Sequence, residues 1–124
     1  MRISGPILAL SMGLLGGTLV TQDANAWSYY WSKSEVKTRS WQVCMRFASD
    51  TARTQHLAKI KQDRLAVSGE LNGMSATITC IGTAGPAIAV IMVVADTVND
   101  AAARQLHTDL VKYITGITCF EGCG

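Results

Sequence analysis

The feature that most restricts the fold is Asn72-Gly73, set between two runs whose apolar residues recur at every second position. Asn-Gly supplies the two positive-φ positions of a tight hairpin turn, so the flanking runs are predicted to pair as antiparallel strands. Before the turn, Leu65, Val67 and Leu71 fall on one side of residues 65–71; after it, Ala76, Ile78 and Cys80 alternate with Ser75, Thr77 and Thr79. A period of two buries one face and leaves the other wet, and it places Cys80 on the buried face. Residues 82–86, Gly-Thr-Ala-Gly-Pro, stop the second strand, and residues 87–95 are then apolar throughout. Such a run predicts a strand covered on both faces or at the sheet centre. It is far shorter than the ~20 residues of a spanning helix. Residues 57–62 form a short amphipathic run and a further candidate strand.

Helices are expected on either side of this block. Ser32 and Glu35 have capping-box spacing, and Trp31 and Val36 stand where a hydrophobic staple would place them, which predicts a helix start at Ser32. Val36, Ser40, Val43, Cys44 and Phe47 continue at helical spacing towards Arg53, turning Val43, Cys44 and Phe47 to a core. Asp96 to Asp100 offers cap residues for a second helix, whose stripe is Ala103, Leu106, Leu110 and Ile114 and whose end falls near Gly116. The fold class is therefore a small single α+β domain: an N-terminal helix, an antiparallel sheet of three to four strands and a C-terminal helix, with both helices on one sheet face.

The first residues carry an address. Arg2 precedes a mostly apolar run over residues 3–20, a polar Thr21-Gln22-Asp23, and then Ala24-Asn25-Ala26. This is the pattern of a secretory signal peptide with an A-x-A cleavage site, so residues 1–26 are expected to be removed and residues 27–124 to form the exported domain. The glycines at 13, 16 and 17 belong to that leader and form no phosphate loop. Localisation is expected to be periplasmic or secreted, with no membrane insertion after cleavage. Cys44, Cys80, Cys119 and Cys123 all lie in the exported part, where an oxidising compartment favours pairing. Four cysteines allow three connectivities. Cys44 with Cys80 is favoured, since the two come within bridging distance if that helix packs over that strand, which leaves Cys119 with Cys123; a clamp of the tail to the body is the alternative.

Composition narrows the function without naming it. The 124 residues are 48% hydrophobic and 16% charged, with a net charge of +2 and neither sign in a block, so the electrostatic footprint of a nucleic-acid binder is missing. No nucleophile, base and orienting group stand at a spacing that predicts catalysis, and His107 and Asp109, two apart, do not face each other on a helix. The C-x3-C of Cys119 and Cys123 suggests a soft-metal site as an alternative, with Met45, Met74, Met92, His56 or His107 as further donors. It is not the C-x-x-C of thioredoxin-like enzymes. Trp27, Tyr29, Tyr30 and Trp31 make the aromatic opening the candidate interaction surface, with Trp27, Tyr29 and Trp31 on one side if the segment is extended. The expectation is a non-enzymatic, disulfide-stabilised binding protein that needs no cofactor and has a protein or envelope component as its partner. A soft-metal handling protein and a small hydrolase or thiol oxidoreductase are the alternatives.

Overall fold

A computed structural model describes residues 26–118. The order is β1 (Trp27–Glu35), α1 (Trp41–Thr54), β2 (Ala58–Gln62), β3 (Ala66–Leu71), β4 (Met74–Ile81), β5 (Ile88–Asp96), a 3-10 turn (Thr97–Asn99) and α2 (Asp100–Gly116). The sheet has five strands in the order β1-β5-β4-β3-β2, and every pairing is antiparallel.

The class is thus α+β as expected, with two corrections. The sheet has five strands rather than three or four, and the domain begins with a strand. Ser32 and Glu35 lie inside β1, so their capping-box spacing is coincidental. The segment instead alternates Trp27, Tyr29, Trp31 and Lys33 against Ser28, Tyr30, Ser32 and Ser34, and it pairs residue for residue with β5 from Trp27↔Asp96 to Glu35↔Ile88. Long-range pairing along nine residues outweighs a local cap, as tertiary context commonly does. The helix starts at Trp41, where the Ser40 side chain accepts the Val43 N–H at 3.2 Å.

Both helices cover the same face. α1 lies on β3 and β4 and buries Val43, Cys44, Phe47, Ala48 and Ala52; α2 lies on β5 and β1 through Ala103, Leu106, Leu110 and Ile114. Between them and the sheet sit Val67, Ala76, Ile78, Cys80, Ala89, Ile91 and Val93, which form one continuous core. Cys44 and Cys80 are both fully buried and joined by a disulfide, the pairing favoured from the sequence. It closes a loop across 36 positions, worth roughly 3–4 kcal/mol on loop-closure grounds. Cys119 and Cys123 lie outside the described residues.

Three turns fix the geometry. Asn72 and Gly73 have φ of 50° and 83°, the conformation predicted for their hairpin. The β2–β3 turn is held by Asp63, whose carboxylate accepts the N–H groups of Leu65 and Ala66 at 2.9 Å each. Helix α1 ends in a Schellman motif: Leu57 donates to Ala52 and His56 to Arg53, both at 3.0 Å, with His56 in the left-handed position at φ 64°. Among the described residues no helix is long and apolar enough to cross a membrane.

Candidate functional site

Pairing β1 with β5 sorts the aromatic opening by face. Trp27, Tyr29 and Trp31 point away from the helices and are 48%, 51% and 63% exposed. Tyr30 points the other way, is partly buried and donates its hydroxyl to Asp100 Oδ1 at 2.6 Å. Three of the four candidate surface aromatics therefore stand together, and the fourth belongs to the helix-side layer. The structure brings a further residue to the exposed group, because the register sets Tyr29 opposite Val94 and Trp31 opposite Met92, which is 40% exposed.

This open face is graded. Its apolar part is Trp27, Tyr29 and Trp31 of β1 with Val90, Met92 and Val94 of β5. Hydroxyls follow on β4 and β3, where Thr77 stands opposite Met92 and Ser68 opposite Thr77. The far edge is charged, with Lys59 and Glu70 forming a pair at 3.8 Å and Lys61 beside them. The all-apolar run in β5 predicts a strand covered on both faces or at the sheet centre; β5 is an interior strand between β1 and β4, with helices on one face alone among the described residues. Its other row is the uncovered one.

A second arrangement lies on the helix side of β1. Asp100 accepts hydroxyl hydrogen bonds from Tyr30 and, at 2.7 Å, from Ser28, and these bonds hold its carboxyl below the usual carboxylate range. Further along, Ser32 Oγ and His107 Nε2 are 3.0 Å apart. Burial disfavours the charged ring of His107 and pushes it below the ordinary imidazole value. The pair borders a cleft of about 470 Å³ lined by Ser32, Ser34, His107, Val111 and Lys112 among others. A hydroxyl beside an imidazole is half of a nucleophilic site. Among the described residues no carboxylate is bonded to the other ring nitrogen, so the third member that orients the base is missing. The same network ties edge strand β1 to α2, which is what its geometry does as it stands.

Among the described residues no three His, Cys, Asp or Glu side chains converge as a metal site. His56 serves as the left-handed cap of α1, and Met45 and Met74 are core residues. Compared with known proteins, the chain matches no family model and no curated relative. The fold and the site together define a helix-backed antiparallel sheet with one apolar, aromatic-bearing face uncovered among the described residues.

Proposed function

We propose that the chain is an exported, disulfide-stabilised binding protein of the periplasm or extracellular space that docks a protein partner on the open face of its sheet. The observation that carries this reading is the shared face of Trp27, Tyr29, Trp31 and Met92, each 40% exposed or more, on a sheet whose opposite face is packed by two helices. Contiguous exposed apolar surface of this kind is characteristic of interaction sites, and Trp, Tyr and Met are the residues enriched there. The export pattern of residues 1–26 and the buried Cys44–Cys80 bridge agree with an oxidising destination.

Two measurements test this reading. An intact mass of the protein recovered from its natural location, before and after reduction and alkylation, is expected to start at Trp27 and to show all four thiols blocked until reduction. A chain that retains residues 1–26 overturns cleavage and leaves residues 3–20 as an uncleaved membrane anchor, and one with Cys119 and Cys123 free and an ion bound replaces disulfide pairing with the metal-handling alternative. Affinity capture is then compared between the wild type and the double variant Tyr29→Ser, Trp31→Ser. The partner is expected to be lost with the fold unchanged by circular dichroism. A partner retained equally by both proteins removes the open face from the account.

A further inference from the structure

The two edges of the sheet are built differently. Edge strand β2 has five residues, a register shift between Ala58 and Lys61, a left-handed Lys59 at φ 53° and two lysines, which are the devices that stop an edge from pairing with another chain. Edge strand β1 has nine residues, keeps one unbroken register with β5 and contains no proline. Its last paired neighbour on the β5 side is given by Val36, whose N–H donates to Ala87 O at 3.0 Å. Backbone groups alternate sides along an antiparallel strand, so those of Ser28, Tyr30, Ser32 and Ser34 face β5 while those of Tyr29, Trp31 and Lys33 face outward. No described strand lies on that outer side.

We propose that β1 pairs antiparallel with the β1 of a second copy of this chain across a two-fold axis at Trp31, joining two sheets into one of ten strands. A second copy is the occupant because the strand is complementary to itself. Pairing along its full length sets Trp31 opposite Trp31, Lys33 opposite Tyr29, and Glu35 opposite Trp27. The two-fold therefore repeats a cation over an aromatic ring twice, sets two indoles together at the centre and brings no like charges face to face. An isologous contact of this kind closes on itself and leaves only the blunted β2 edges at the ends of the joined sheet. The backbone pairing uses the edge of the sheet, while the side chains it brings together, Trp27, Tyr29 and Trp31, belong to the face of the binding proposal, so the exposed aromatics of both copies become one continuous wall.

Sedimentation of the purified protein tests the pairing. The wild type is expected to run at twice the chain mass, while Trp31→Glu, which sets two carboxylates across the axis at an exposed position, is expected to associate at least about tenfold more weakly with unchanged circular dichroism. Residues directly opposite in a hydrogen-bonded antiparallel pair have Cα atoms ~5.5 Å apart, within disulfide reach, so Trp31→Cys is expected to form a cross-linked dimer on oxidation while Val98→Cys does not. A wild type that is monomeric at concentrations up to about 100 µM, a Trp31→Glu variant that dimerises equally well, or equal cross-linking of the two cysteine variants overturns the proposal. So does a self-cross-link from Met92, which would place the second copy on the face of the sheet instead of its edge. Because Met92 lies one strand inside the edge, loss of partner capture in a Met92 variant that still dimerises separates the fate of this proposal from that of the binding face.

Discussion

Trp31 of β1 and Met92 of β5 stand opposite each other in the ladder and share the side of the sheet away from both helices. Each is well exposed, so neither is expected to contribute much to folding. Trp31→Ser and Met92→Ser are therefore predicted to change stability by less than about 1 kcal/mol, against roughly 2–5 kcal/mol for truncating the buried Leu110 to Ala on the other face. Urea unfolding of the three variants checks the contrast. Equal losses at Trp31 and Leu110 would mean that Trp31 is a core residue.

The Cys44–Cys80 bridge links α1 to β4 at the centre of the core. Replacing both cysteines by alanine is predicted to lower stability by roughly 3–4 kcal/mol, with an added loss from the small cavity left behind. Thermal unfolding of the double variant beside the wild type checks it, and equal unfolding temperatures would show that the bridge carries no weight.

His56 occupies the left-handed cap position of α1 that glycine fills at least cost. His56→Gly is predicted to raise stability by about 0.5–1 kcal/mol, since it removes the steric penalty of a side chain at positive φ. Chemical denaturation midpoints measure it. A loss instead would mean that the imidazole makes a contact worth more than the strain.

Gly69 sits where β3 passes under the end of α1, and a Cβ there would lie 2.8 Å from the Leu57 Cβ and 3.1 Å from the Ala58 carbonyl oxygen. Gly69→Ala is predicted to destabilise by about 1–3 kcal/mol through this overlap, although alanine suits a strand better than glycine. Differential scanning calorimetry tests the sign.

Stability is predicted to fall on acidification in two windows. Burial depresses the folded-state value of His107, so the unfolded chain binds the proton more readily, and stability declines as pH drops below the unfolded imidazole value of about 6.5. Asp100 and Asp63 are also depressed, by the Tyr30 and Ser28 hydroxyls and by the Leu65 and Ala66 N–H groups respectively, so a further loss follows below the unfolded carboxylate value of about 3.9. Urea midpoints as a function of pH, repeated with His107→Gln, separate the two. The upper window should vanish in the variant, and its persistence would assign it elsewhere.

The parts of the fold that were legible in the sequence are those set by local chemistry or strong periodicity. Asn72-Gly73 announced the central hairpin, Ala103, Leu106, Leu110 and Ile114 announced the buried stripe of α2, and the inward faces of Cys44 and Cys80 announced their bridge. β1 was half legible. Its aromatics alternate, but Ser32 and Glu35 also have helix-cap spacing, and only the register with β5, some sixty positions away, decides between them. The Ser32–His107 pair spans 75 positions and left no local trace. The left-handed turn at His56 was hidden because the residue there is not glycine. The open face was readable only in part: Trp27, Tyr29 and Trp31 could be grouped from alternation, whereas Met92 and Val94 looked like buried residues of a doubly covered strand until the layer arrangement was known.

Whether the open face holds a protein partner can be read by site-specific photo-cross-linking in the cells that make the protein. A photoreactive residue is placed in turn at Tyr29 and Met92 on that face and at Val98, which is exposed on the turn before α2. Tyr29 and Met92 are both expected to give a discrete adduct with the same other protein, Tyr29 with a self-adduct in addition across the paired β1 edges, and Val98 is expected to give none. Adducts from Val98 alone, or equal and diffuse labelling from all three positions, would contradict a partner on the open face.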